Sequence, residues 1–77
     1  MEIIIKYFGQ IAEETGTHQE VLETSNRDIE GVKSFLIDKY SLVYDDSIRI
    51  AINQKLDSNA MLEDGDEVAF LPPFAGG

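Results

Sequence analysis

Residues 2–8 alternate in character. Ile3, Ile5 and Tyr7 fall on one side of an extended chain, and Glu2, Ile4, Lys6 and Phe8 fall on the other. Period two with β-branched residues predicts a strand, and Gly9 ends it. Residues 10–15 read as a connection and Gly16 as a turn. Residues 18–24 read as a second, weaker strand that pairs with the first like a hairpin. Then the period changes. Ile29, Val32, Phe35, Leu36 and Tyr40 recur at three- and four-residue spacing, an apolar stripe that predicts a helix. Asp28 stands where a carboxylate accepts the unpaired amide hydrogens of a first turn. Gly31 inside the helix costs about 1 kcal/mol relative to Ala and is expected to serve close packing on a sheet. Alternation returns in residues 47–53, with Ile48, Ile50 and Ile52 inward and Arg49 and Ala51 outward. Asn53-Gln54-Lys55 forms a turn, followed by a short strand around Leu56. Asp64-Gly65-Asp66 is a turn in which Gly takes positive φ. Glu67–Leu71 is the last strand, Val68 and Phe70 on one face, Ala69 and Leu71 on the other.

The order strand, strand, helix, strand, short strand, strand predicts an α+β fold, one helix packed across one face of a mixed sheet. The chain has 77 residues, the length of one small domain. Its 43% apolar content is enough for a compact core and excludes a disordered tail as the default. The alternation leaves Ile4, Phe8, Ala51, Ala69 and Leu71 pointing away from the helix. An apolar patch on the open face of a small protein points to a partner surface, with Glu67 among it as a steering charge.

Charge narrows the partner. Six Lys and Arg stand against fifteen Asp and Glu, a net charge of −9. The cations are scattered, so neutralising phosphates is not this chain's work, and nucleic acid and anionic membrane are poor partners. A basic protein surface is a better one, because opposite fields speed encounter. There is no cysteine, hence no disulfide framework and no thiolate nucleophile. The apolar run near the start, Ile3-Ile4-Ile5, is far short of a membrane span or signal core, and the chain reads as cytoplasmic.

Ordinary catalytic groups are scarce. His18, the only histidine, sits in a polar stretch and reads as solvated. Asp45-Asp46, Glu13-Glu14 and the run from Glu63 to Glu67 read as solvated turns, without the ligand spacing of a calcium loop, and no metal site is expected. Gly9, Gly16 and Gly31 match no phosphate-binding fingerprint. The C-terminus is different: Leu71-Pro72-Pro73-Phe74-Ala75-Gly76-Gly77. Two prolines stiffen the chain as it leaves the sheet. Phe74 has no evident core to enter. A terminus with almost no side chains can pass a narrow tunnel and bring its carboxylate close to a reacting centre. The functional group it offers is the α-carboxylate of Gly77.

Over its whole length the chain resembles the small subunits of molybdopterin synthase, the MoaD-type ubiquitin-like sulfur carriers. Tyr7-Phe8-Gly9-Gln10 through Thr15-Gly16 resembles that family's first strand and following loop, and Ala51-Ile52-Asn53-Gln54 its central strand and turn. The segment from Asp64 to Pro73 with the terminal Gly76-Gly77 carries the most specific likeness. The resemblance implies a ubiquitin-like β-grasp fold over residues 1–71, first and last strands paired in the centre, and an extended functional tail at residues 72–77. It implies that a ubiquitin-activating-type enzyme, using ATP and Mg, adenylates the Gly77 carboxylate, and that a sulfur donor protein converts it to a thiocarboxylate. Pro72, Pro73, Phe74, Ala75 and Gly76 would insert into the large subunit, in a heterotetramer of two small and two large subunits. There the sulfur would attack the cyclic pyranopterin monophosphate precursor of the molybdenum cofactor. In this reading the chain binds no cofactor itself and holds no complete active site. It would act as the sulfur-donating subunit of a transferase whose acid and base groups come from the large subunit. Two departures stand out: Ala12 where many relatives carry an Arg, and Phe74 in place of a smaller aliphatic residue. A sulfur carrier for thiamine or tRNA thiolation, and a protein modifier conjugated through Gly77, are the alternatives.

Overall fold

The computed structural model describes residues 1–42, 49–55 and 61–72. Along the chain it forms β1 (Glu2–Tyr7), α1 (Gln10–Thr15), β2 (Gln19–Glu23), α2 (Ile29–Tyr40), β3 (Arg49–Ile52) and β4 (Glu67–Leu71). The four strands make one mixed sheet in the order β2-β1-β4-β3. β1 and β4 run parallel in the middle, with Ile4 opposite Glu67 and Tyr7 opposite Phe70. The flanking pairs, β1 with β2 and β3 with β4, are antiparallel. With α2 packed on one face, this is the ubiquitin-like β-grasp arrangement.

Alternation in the sequence becomes sidedness in the sheet. Ile3, Ile5 and Tyr7 of β1, Val68 and Phe70 of β4 and Ile52 of β3 meet Ile29, Val32 and Leu36 of α2 in one core cluster. Fully burying such a side chain contributes roughly 1.5–3 kcal/mol. The helix starts as its cap predicts: Asp28 Oδ1 accepts from the Glu30 amide at 3.2 Å. It ends at Ser41, whose left-handed backbone (φ 54) lets its amide reach the Asp38 carbonyl at 3.4 Å. Gly65 takes the positive φ its turn requires (88°), and Asn53 and Gln54 turn with φ of 50° and 70°. No helix among the described residues is long and apolar enough to cross a membrane.

Three expectations change. Residues 10–15 are a helix rather than a bare connection. At six residues α1 is too short to show a helical period, and tertiary burial of Ile11 and Ala12 holds it. Phe35 does not join the buried stripe; it is 54% exposed, while Ile29, Val32 and Leu36 carry the contact. Gly31 makes its close approach to the Asn26 side chain rather than to the sheet: a Cβ there would lie 2.0 Å from Asn26 Nδ2. Ile48, the short strand around Leu56 and the Asp45-Asp46 pair lie outside the described residues.

One polar cluster ties the elements together. The Glu20 carboxylate of β2 accepts from the Tyr7 hydroxyl at 2.6 Å, from the Tyr40 hydroxyl, and from Lys39 Nζ at 3.3 Å. The Tyr7 ring packs edge-on against Tyr40 and Phe70, with centroids 5.9 and 5.8 Å away. Partial burial pushes the Glu20 carboxyl upward, but the hydrogen bonds from Tyr40, Tyr7 and Lys39 outweigh it and hold the group below its ordinary value. Burial, then the bond to Glu20, drives the Tyr7 hydroxyl far above its usual range, so Tyr7 remains a donor at any physiological pH.

A carboxylate held low in the folded state stabilises the protein above its unfolded pKa. That contribution is lost as pH falls through the folded value. The wild-type melting temperature should therefore drop on acidification below about pH 4.3, the unperturbed Glu value, more steeply than that of Glu20→Gln. At neutral pH the substitution should cost about 1–3 kcal/mol, the scale of hydrogen bonds to a charged group. Thermal melts of both proteins across a pH series check this; parallel curves would remove Glu20 from the linkage.

Candidate functional site

β4 delivers the chain end from the centre of the sheet. Beyond Leu71 the backbone reaches Pro72, which rests against Gly9 just past the end of β1. A Cβ on Gly9 would sit 2.9 Å from Pro72 Cγ. Gly9 also has φ 57 and ψ −133, backbone that side chains tolerate poorly. Next to it, the Phe8 amide donates to the Phe70 carbonyl at 3.3 Å, extending the β1–β4 contact to the exit. Pro73, Phe74, Ala75, Gly76 and Gly77 lie outside the described residues.

The face of the sheet opposite α2 is set by the registers. Ile4 and Lys6 of β1 stand beside Glu67 and Ala69 of β4, with Leu71 opposite Arg49 and Ala69 opposite Ala51 of β3. Phe8 is 45% exposed at one end, and Ile4, Ala69 and Leu71 are half-buried. Ala51 keeps its place on this face but is only 7% exposed; a methyl stands lower than longer neighbouring groups and offers little area. Glu67 is already paired: Lys6 Nζ lies 3.1 Å from its carboxylate, which reduces the charge left to steer a partner.

A groove of about 720 Å³ opens beside the exit, lined by Lys6, Phe8, Gly9, Glu13, Gly16 and His18 among others. Sequence reasoning missed it because α1 forms one wall. The two glycines bracketing residues 10–15 were the available signal. His18 is exposed at its rim. Ala12 lies in the core cluster, so the departure at this position bears on packing.

The acidic turns are occupied with the backbone. Asp64 Oδ1 accepts from the Glu2 amide at 2.7 Å, and Asp66 Oδ2 accepts from the Glu63 amide at 2.8 Å. Asp66 Oδ1 also takes a bond from Asn53 Nδ2 at 3.0 Å. Those bonds stitch the turn before β4 to β1 and β3. Among the described residues no group of three or more His, Asp or Glu is placed to hold a metal ion.

Comparison with known proteins decides the family, since the ThiS family matches residues 5–77. The chain belongs to the ThiS family. It is 34% identical to the molybdopterin synthase sulfur carrier subunit of Escherichia coli K12 over 80 aligned positions, 97% of this chain and 99% of that protein. The corresponding subunit of Mycobacterium tuberculosis is also 34% identical, over 100% of this chain and 99% of its own. Among solved structures, a complex of subunits 1 and 2 of the molybdopterin-converting factor from Helicobacter pylori matches with a TM-score of 0.72 and 25% identity, covering 100% of both chains. The modifier protein SAMP1 of Haloferax volcanii matches with a TM-score of 0.81 over 100% of both chains at 19% identity, a likeness of fold.

In this ThiS-family member the seat of Pro72 on Gly9 is the testable element. Gly9→Ala combines a disfavoured backbone with a clash against Pro72, and should destabilise the domain by about 1–3 kcal/mol. It should also shift the backbone resonances of Leu71 and Phe8, read by denaturant melts and amide spectra. Unchanged resonances at Leu71 would show that Gly9 does not seat the exit.

Proposed function

We propose that this chain is the sulfur-carrying small subunit of a molybdopterin synthase, with the sulfur held as a thiocarboxylate on Gly77. The observation that carries the reading is the full-length 34% identity to two such subunits, in a chain whose sequence ends in Gly76-Gly77. The chemistry follows from the one group the tail offers. A carboxylate is a poor electrophile. Attack of its oxygen on the α-phosphorus of ATP expels pyrophosphate and leaves an acyl-adenylate. The terminal sulfur of a persulfide on a donor protein then displaces AMP to give an acyl disulfide, and a thiol cleaves its S–S bond, leaving the thiocarboxylate on Gly77 and a disulfide on the donor side. The thiocarboxylate sulfur bonds to a carbon of the pterin precursor as an oxygen substituent of that carbon leaves, and water then cleaves the acyl–sulfur bond, leaving the sulfur on the pterin and returning the Gly77 carboxylate.

Partners follow from shape and charge. The Helicobacter pylori structure pairs its small chain with a second subunit, and a large subunit of that kind fits here. Phe8, Ala69 and Leu71 supply an apolar contact area near the exit and Ile4 extends it along β1, with Ala51 and Glu67 contributing little beyond shape. Pro72, Pro73, Phe74, Ala75 and Gly76 span from that contact into the partner. Conjugation to other proteins through Gly77 is the competing reading, motivated by the 28% identity to the small archaeal modifier protein SAMP1 of Methanosarcina acetivorans.

Intact mass after incubation with an activating enzyme, ATP and a sulfur source separates the readings. An exchange of one oxygen for sulfur is the expected result; a ladder of protein-sized adducts would mean a modifier. Removing Gly77, or adding a residue after it, should abolish dithiolene formation in a reconstituted synthase and leave the thermal melt unchanged. A truncated chain that still transfers sulfur would overturn the terminal-thiocarboxylate reading.

Replacing Phe8 by Glu should weaken binding to the large subunit by more than about 1.4 kcal/mol, a tenfold loss, because the charge enters a contact that excludes water. Calorimetric titration measures it, and an unchanged affinity would move the partner contact elsewhere.

A further inference from the structure

The edge of β2 has the features of a second docking site. β2 pairs with β1 and ends the sheet on that side. The Tyr7 amide donates to the His18 carbonyl and the Thr24 amide to the Met1 carbonyl, both at 2.9 Å. By the antiparallel alternation, His18, Glu20, Leu22 and Thr24 therefore face β1, and Gln19, Val21 and Glu23 turn their backbone groups outward. The Gln19 carbonyl is taken by the Thr17 hydroxyl at 2.9 Å. Val21 and Glu23 thus present a ladder of donors and acceptors along an open edge, a feature proteins usually blunt.

Two exposed apolar side chains flank this edge from opposite sides. Val21, 62% exposed, lies on the open face of the sheet; Phe35, 54% exposed, lies on α2. Between β2 and α2 runs a groove of about 160 Å³, lined by Leu22, Glu23, Asn26, Gly31, Val32 and Phe35 among others. A strand added along β2 directs alternate side chains to the two faces, so one extended segment covers both Val21 and the Phe35 groove while pairing the free backbone groups.

Charge selects the occupant. Glu23 borders the groove, and Asp28 and Glu30 stand exposed at the start of α2. Of the nearby cations, Lys39 is matched by Glu20 at 3.3 Å, Arg27 is turned to the Leu62 carbonyl at 3.3 Å, the Met1 ammonium donates to the Thr24 carbonyl at 3.0 Å, and Lys33 is not in the lining. A second copy of this chain would join two bodies of −9 each and bring Glu20 and Glu23 of both copies to one seam. We propose that the β2 edge and the α2 groove bind an extended segment of a partner protein, apolar at its centre and flanked by Lys or Arg, by strand addition. The site is at the Thr24 end of β2, whereas the tail exit adjoins the end of β1 near His18. Val21 stands beside Ile4 across the strands, so the site borders the proposed large-subunit face, while the Phe35 groove lies on the α2 side of the sheet, away from that face.

The test uses the full-length chain, labelled for amide spectroscopy, and a peptide with a Val-Ile-Val-Ile-Val centre and lysines at both ends. Shifts and slowed hydrogen exchange are expected at Val21 and Glu23, with further shifts at Gly31 and Phe35. Phe35→Ser and Val21→Thr, both at exposed positions, should each weaken binding by about tenfold or more with unchanged melts. A peptide with glutamates at its ends, or N-methylated at alternate residues, should bind far more weakly. Absence of binding, or shifts confined to Ile4, Phe8 and Leu71, would overturn the proposal. So would sedimentation showing a dimer of the chain that Val21→Thr disrupts.

Discussion

Parallel strands cannot be joined by a tight turn, so pairing Ile4–Tyr7 with Glu67–Phe70 closes a loop of most of the chain. Loop-closure entropy grows slowly, by about 0.6 kcal/mol per doubling of length, so the long excursion is tolerable if the closed pair is well buried. It is: Ile5, Tyr7, Val68 and Phe70 are all in the core. Everything between the two strands then has to return to the same place. α2 fills the space on one face of the sheet, β2 and β3 extend its edges, and the turn at Asp64-Gly65-Asp66 sets where β4 begins. The same pair fixes where the chain leaves the domain, beside Gly9.

In the proposed reading the domain and the tail divide the work. Side chains of the folded part are occupied in holding its shape. Glu20 receives three donors, Asp64 and Asp66 accept from backbone amides, and Lys6 answers Glu67. If the sulfur is carried on Gly77, as proposed, the body has little more to supply than recognition and a firm anchor. The absence of Cys is compatible with that division, since the sulfur would ride on a main-chain carbonyl.

Much of this was legible in the sequence, for a physical reason in each case. β1, β4 and α2 bury one face each, and that one-sidedness writes itself as period two or period 3.6. Hidden features were those decided by tertiary contact. α1 shows no period at six residues, and its helicity follows from Ile11 entering the core. Phe35 matches the apolar stripe by spacing, yet the helix's rotation puts it at the rim. The Tyr7–Glu20–Tyr40 cluster joins residues 13 and 20 positions apart, which no local pattern marks. For the candidate site, the open face could be assigned from alternation, but the ion pair on Glu67 and the sheltering of Ala51 depend on cross-strand neighbours. The groove beside the exit needed α1. The chemistry proposed for the tail rests on the residue types of Pro72 to Gly77, of which the described residues include Pro72 alone.

The position of β4 has a mechanical side. In the proposed reading, a tail drawn into a partner and out again would load the chain along the axis of β4. An edge strand under such a load can detach from its single neighbour. β4 is held on both flanks, by β1 in parallel and by β3 antiparallel, so tension along it shears two ladders together and the bonds resist as a group. Load at Pro72 is therefore shared by two ladders, and in the proposed reading the body would serve as a handle for the tail.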